Sequence, residues 1–395
     1  MNTHPLKPLL CLAASVLAAI AAAAEPVAEA VRPLAEARFV VPPETFVAHT
    51  PQREFIGPGT IVLENGDILM AAPWGRPPAN FEQLAATFPV PPLYRSTDGG
   101  RTWATAGRFK MEWPLKGMVS DQGISFLRLK DGRLAAILPR HVLGLHGGGV
   151  PAISFSHDDG ATWSAAKMLV EPDDAYFVMN DRLIQLKSGR LLLPVARKVG
   201  KHEGDQDESL AMLSDDGGES WRLSRGRARL ATARGMQEPC AVELADGRVR
   251  LLARTGAGFI HTSLSADGGE TGSPPEPTTL ESPCSALTLR RAPDGRLVCL
   301  YNHVKPLKEG AFFPRTPLVY ATSSDDGATW SAPTVIDASG LEKRDRQNIY
   351  ASPCFTREGM VVIWSTHAAD PKGSFGGAGP EGWKLGGGKR AIVAF

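Results

Sequence analysis

The sequence predicts an all-β chain, a six-bladed β-propeller of four-stranded antiparallel blades, on three observations. The pattern Ser-x-Asp-x-Gly-x-Thr-Trp recurs five times at intervals of 51 to 60 residues, and a fixed period of this length marks propeller blades. A second turn signal, a polar residue followed by glycine, alternates with the first and occurs six times. Glycine and proline number 41 and 32, as many short strands joined by tight turns require.

The first pattern runs Ser96 to Trp103, Ser156 to Trp163, Ser214 to Trp221 with Ser220 in place of Thr, Ser265 to Gly272 without its Trp, and Ser323 to Trp330. In a tight turn the aspartate accepts hydrogen bonds from nearby backbone N–H groups, glycine takes φ > 0, and the hydroxyls tie the turn further. Asp98, Asp158, Asp216, Asp267 and Asp325 are therefore read as structural and placed on outer turns. A residue repeated in nearly every blade does not serve one asymmetric site.

The second signal is Asn65-Gly66-Asp67, Asp131-Gly132-Arg133, Ser188-Gly189-Arg190, Asp246-Gly247-Arg248, Asp294-Gly295-Arg296 and Glu358-Gly359-Met360. Each sits between apolar runs and reads as the hairpin joining the first two strands of a blade. Six hairpins give six blades. The sixth takes Lys389 to Phe395 as its third strand, and either Arg38–Val41 or Thr45–Ala48 supplies the outer strand that closes the ring and removes open sheet edges. Gly373 to Gly388 reads as a glycine-rich loop.

Lys plus Arg is 43 and Asp plus Glu is 42, so the global electrostatic footprint of a nucleic-acid or acidic-membrane binder is missing. The start Met1-Asn2-Thr3-His4-Pro5-Leu6-Lys7, an apolar run, and Ala21 to Ala24 before Glu25-Pro26 follow the pattern of a secretory signal peptide. Residues 1–24 are assigned to it, and residues 25–395 to one propeller, secreted or periplasmic and without membrane insertion. Three of the remaining cysteines follow proline in a repeated context, Pro239-Cys240, Pro283-Cys284 and Pro353-Cys354. Recurrence at one structural position reads as small apolar packing rather than disulfides. No zinc spacing, phosphate loop or paired metal motif is present, so no metal and no cofactor is implied.

Ligands of propellers occupy the mouth of the central channel, near the starts of first strands and the ends of second strands. Those places hold Trp74 and Arg76, Asp121 and Arg140, Asp181, Arg182 and Arg197, Glu238 and Arg254, His303, and Tyr350 and His367. Here Gln237-Glu238-Pro239-Cys240 with Leu252-Ala253-Arg254, Arg315-Thr316-Pro317-Leu318, and Ile349-Tyr350-Ala351-Ser352 resemble segments of the exo-α-sialidase (neuraminidase) family of Asp-box, or BNR-repeat, propellers. The resemblance implies a tyrosine nucleophile at Tyr350, its glutamate partner at Glu238, and carboxylate-binding arginines at Arg254 and Arg315. An arginine fork binds a carboxylate bidentately. A sialic acid carries that carboxylate on its anomeric carbon, where an anionic nucleophile would be repelled, and sialidases use a tyrosine instead.

Two places depart from the family pattern. Phe55-Ile56-Gly57-Pro58 stands where the family has Arg-Ile-Pro, which leaves Arg53 or Arg182 as the replacement for the first arginine. The first-blade loop Gly75 to Tyr94 lacks the family's acid/base aspartate, leaving Glu82 or the inner-strand Asp121 for that role. The resulting expectation is a retaining exo-glycosidase releasing sialic acid or a related acidic sugar from a glycan or glycoconjugate, acting as a monomer. The alternatives are a non-catalytic glycan-binding propeller, and a lyase or hydrolase for a different sugar.

Overall fold

The computed structural model describes residues 34–48, 55–72, 91–109, 118–119, 123–141, 149–171, 175–199, 206–306, 308–311, 313–343, 345–369 and 386–395. Residues 1–24, read from the sequence as a signal peptide, and Trp74, Arg76, Arg53, Glu82 and Asp121 lie outside them. The compact unit is Ala35–Phe395, and its described residues form six antiparallel sheets without a helix, the blades of a six-bladed propeller.

Blade 1 runs Gly59–Val62, Ile68–Ala71, Pro92–Ser96 and Ala104–Arg108. Blades 2 and 3 have interrupted first strands, Met118–Val119 with Ser125–Arg128 and Tyr176–Phe177 with Ile184–Gln185. Blade 4 is Met236–Glu243, Val249–Thr255, Phe259–Ser265 and Glu276–Glu281. In blade 5, Ala35–Glu36 adds a short parallel strand outside Thr334–Asp337. Blade 6 takes Arg346–Thr356, Gly359–Ala368 and Gly387–Val393 from the end of the chain.

Its outer strand comes from the start. Phe39–Ala48 pairs antiparallel with Gly387–Val393, so the two segments considered for closure are halves of one strand. Gly387 and Gly388, assigned to the glycine-rich loop, open that third strand instead. The reason is steric, since a Cβ on Gly387 would stand 2.3 Å from the Val47 carbonyl oxygen.

Apolar side chains fill the spaces between blades. Trp163, with Phe109, Phe126 and Leu134, packs blade 1 against blade 2, the Phe109 and Trp163 rings lying 5.0 Å apart. Blade 4 lacks this tryptophan, and a cavity of about 50 Å³ lined by Leu192, Ala211, Ala241, Val249 and Ser263 reaches Gly272. The chain leaving blade 3 runs over the gap, Gly226 N donating to Glu270 O at 2.8 Å.

All five repeated turns have the bonding their chemistry demands. Around Asp158, Ser156 Oγ donates to Oδ1 at 2.8 Å, Thr162 N to Oδ1 at 2.8 Å and Thr162 Oγ1 to Oδ2 at 2.5 Å, while Trp163 Nε1 donates to Gly160 O at 3.1 Å. The Thr162 hydroxyl and amide hold the Asp158 carboxyl down at about 2. A depressed folded-state value means stabilisation present above the ordinary carboxyl range and lost as pH falls through about 2. Asp158→Ala is therefore expected to lower stability at neutral pH by about 1 kcal/mol. In denaturant titrations that difference should shrink between pH 4 and pH 2, and a pH-independent difference would remove the charged bonds from the account.

Candidate active site

Antiparallel alternation places the starts of first strands, the ends of second strands and the starts of third strands on one face. The repeated aspartates follow the ends of third strands and so occupy the other. Asp207 opens a third strand beside Gln237, whereas Asp216 lies beyond its far end at Ser214.

The first strands carry an irregularity at matching positions. Gly57, Gly123, Glu238 and Tyr350 all have left-handed φ, of 52°, 96°, 47° and 55°. Each precedes its hairpin glycine, Gly66, Gly132, Gly247 or Gly359, by the same number of residues. In blades 4 and 6 the register slips here, between Gln237 and Cys240 and between Ile349 and Ser352, as a β-bulge that re-aims a side chain does. Glycine adopts this conformation freely, but a side chain costs roughly 1–2 kcal/mol. Where two blades use glycine, the other two place a glutamate and a tyrosine, and strain of this kind collects at functional sites.

Glu238 and Tyr350 are 4% exposed, Arg254 is 6% exposed and Arg315 is fully buried. Arg254 Nη2 lies 2.8 Å from Glu238 Oε1, and Gln237 is the strand partner of Arg254. Burial disfavours the Arg254 charge, yet Glu238, Cys284 and Tyr350 outweigh it and hold the guanidinium above its ordinary value. For Arg315 burial wins and its value falls, with Tyr350 and Glu238 opposing and Arg254 adding to the fall. The four predicted residues from blades 4, 5 and 6 thus lie within one another's electrostatic reach. Arg315 is seated by Nη2 donating to Cys284 O at 3.3 Å and by Asn348 N donating to Arg315 O at 2.9 Å. Glu238 Oε2 is buried without a hydrogen bond.

Three neighbours were not singled out from sequence. Gln237 Nε2 donates to Asp207 Oδ2, while Cys284 Sγ donates to Gln237 Oε1 at 3.3 Å. Burial pushes the Asp207 carboxyl up, against the pull of Gln237 and Arg254. Asp207 opens a third strand, and third strands begin on the same face as the first-strand starts and second-strand ends that carry the sequence candidates. The four described cysteines Cys240, Cys284, Cys299 and Cys354 are free and buried, as the repeated context of Cys240, Cys284 and Cys354 predicts. Cys284, however, packs against polar groups of the site.

Arg182 belongs elsewhere. Its Nη1 donates to Asn180 O at 2.8 Å and its Nη2 to Leu287 O at 2.9 Å, with the residue 1% exposed. Those carbonyls take the fork that a carboxylate would need, so Arg182 does not stand in for the missing first-blade arginine. At that place stands Phe55, fully buried in an apolar cluster with Ile68, Met70, Ile363 and Ile392, and the next residue, Ile56, packs against the cluster of Met179, Ala286, Ile349 and Tyr350. Among the described residues no cluster of His, Cys, Asp or Glu could hold a metal ion.

Fold and site together define a class, a propeller whose central face gathers a tyrosine, a glutamate and two buried arginines. Residues 147–363 match the BNR repeat-like domain family. The chain belongs to this sialidase-type, BNR-repeat propeller family. It is 30% identical over 326 residues to a sialidase of Micromonospora viridifaciens, a match covering 72% of this chain and 46% of that protein, so the chain spans about half the length of that relative. In overall structure it resembles a protein of unknown function from Dyadobacter fermentans, at TM-score 0.65 and 18% identity over 90% of this chain and 99% of that one. It also resembles a leech intramolecular trans-sialidase complexed with 2,7-anhydro-Neu5Ac, at TM-score 0.58 and 16% identity over 81% and 66%.

Proposed function

We propose that the protein is a retaining exo-glycosidase that removes sialic acid, or a closely related acidic sugar, from glycoconjugates. The observation that carries this reading is the placement of Glu238 and Tyr350 at equivalent left-handed bulges, with Arg254 bonded to Glu238 and Arg315 beside them. The Arg254 and Arg315 guanidiniums take the sugar carboxylate. The Tyr350 hydroxyl gives its proton to the unbonded Glu238 oxygen as its own oxygen attacks the anomeric carbon. The glycosidic C–O bond breaks as the leaving oxygen accepts a proton from a general acid. Water then attacks the anomeric carbon and gives a proton to the conjugate base of that acid, the bond from the sugar to the Tyr350 oxygen breaks, and Glu238 returns its proton to that oxygen. Glu82 and Asp121, the proposed acids, and Arg53 lie outside the described residues. The N-terminal pattern supports export to the periplasm or medium as part of the same proposal.

The test is a screen of the purified protein against aryl sialosides and aryl glycosides of neutral and uronic sugars. Sialoside turnover supports the reading, and release only from another sugar overturns the substrate. Binding without turnover would make the propeller a glycan receptor. Arg254→Lys and Arg315→Lys keep the charge but lose the fork. Each is expected to weaken binding of the free acidic sugar about 10- to 100-fold, the worth of a charged hydrogen bond. Unchanged affinity by calorimetry in both variants would exclude the clamp.

A further inference from the structure

Asn180, Asp181 and Arg182, consecutive at the inner edge of blade 3, are all polar and at most 1% exposed. Polar side chains this deep need partners, and each of the three finds at least one on another blade. Asn180 Nδ2 donates to Pro58 O of the blade 1 segment at 3.0 Å, and to Ala351 O and Tyr350 O of blade 6 at 3.3 and 3.4 Å. Asp181 accepts from Ser352 Oγ and faces Arg290 Nη2 of blade 5 at 3.2 Å. Arg182 reaches Leu287 O, as above. The tripeptide therefore spans the channel to blades 1, 5 and 6. Burial pushes the Asp181 carboxyl up against the pull of Arg290 and Ser352.

We propose that Asn180 is a positioning residue for Tyr350, holding the peptide that follows it so that the left-handed bulge at residue 350 keeps the phenol beside Glu238, Arg254 and Arg315. Three carbonyl oxygens surround the Asn180 amide nitrogen, which settles its orientation, since the amide oxygen would face three acceptors if reversed. Two of the three belong to the bulge itself, Tyr350 O and Ala351 O. A tyrosine at φ 55° is held against its own backbone preference, and surroundings that over-determine the conformation are what such strain requires. Asp181 takes Ser352, two residues on, and anchors the far side of the bulge. The proposal rests on the site reading above for the role of Tyr350, but its test does not.

The protein has five tyrosines, so fluorotyrosine labelling yields a countable ¹⁹F spectrum, in which the resonance lost in Tyr350→Phe is that of Tyr350. Asn180→Ala is expected to move this resonance and leave the other four in place. It should also lower kcat on an aryl sialoside by about 100-fold with KM changed less than about threefold, as misplacement of a reacting group does. Thr60→Val is the control, removing a buried bond of 2.6 Å to Ser352 Oγ of the same strand while leaving the Tyr350 carbonyl untouched. It should lose stability without moving the resonance. If Asn180→Ala does not fold, Asn180→Ser carries the test, its hydroxyl being too short to span the three carbonyls. An unmoved Tyr350 resonance in a folded Asn180 variant overturns the proposal whether or not the protein turns over sialosides. A moved resonance without sialoside turnover in the wild type leaves the positioning role standing and removes the glycosidase reading.

Discussion

Tyr350→Phe is expected to abolish the covalent glycosyl-enzyme and to reduce sialoside turnover by about 10³-fold or more, the scale on which loss of a nucleophile acts. The fold and the affinity for the free sugar should survive. Tyr350 belongs to an apolar cluster with Met179, Ala286 and Ile349 against which Ile56 packs, a setting that suits phenylalanine, and only the hydroxyl is lost. Intact-protein mass spectrometry with a slow fluorinated sialoside checks the first outcome and calorimetry the second. A covalent adduct persisting in the variant would place the nucleophile elsewhere, while the propeller and its anion site would stand.

Glu238→Gln should separate turnover from binding. In the resting protein Glu238 Oε1 holds Arg254 Nη2 at 2.8 Å with both side chains under a tenth exposed, so the glutamate competes for the guanidinium, and in the proposed mechanism it also accepts the Tyr350 proton. Glutamine removes the charge. Loss of a proton acceptor lowers turnover by about 10²- to 10⁴-fold, while the guanidinium, relieved of the competing Glu238 carboxylate, takes an anionic sugar at least as tightly as before. Breaking a buried pair from one side also costs stability, about 3–5 kcal/mol, and a saturating acidic sugar should restore part of it. Weaker anion binding together with wild-type turnover would show that Glu238 serves only to hold Arg254.

The local chemistry of the chain was legible because the relevant interactions are short-range. The Ser156, Asp158, Gly160 and Thr162 turn closes within eight residues, so its bonds follow from residue types and spacing, and five copies count blades without any knowledge of how blades meet. The six hairpin glycines obey the same logic. Tyr350, Glu238, Arg254 and Arg315 follow from resemblance to family segments rather than from spacing, and the structure sets the four within electrostatic reach of one another. Arg182 looked equivalent to them in sequence, a cation at the inner edge of a blade. What separates it is the partner, since Leu287 O and Asn180 O occupy its fork, and Leu287 is 105 positions away.

By itself the sequence determined the all-β class, the number of blades, the structural role of the repeated aspartates and the free state of the described cysteines. Each follows from a turn or a periodicity contained in one short segment. Only the tertiary structure decided that Phe39–Ala48 closes the ring as one strand, that Asp207, Gln237 and Cys284 join the site, and that Asn180 braces Tyr350 from across the channel. These are contacts between blades. Ring closure brings together side chains hundreds of residues apart, and whether a buried polar group meets a carbonyl, a carboxylate or a ligand depends on what the opposite blade presents, which no single segment encodes.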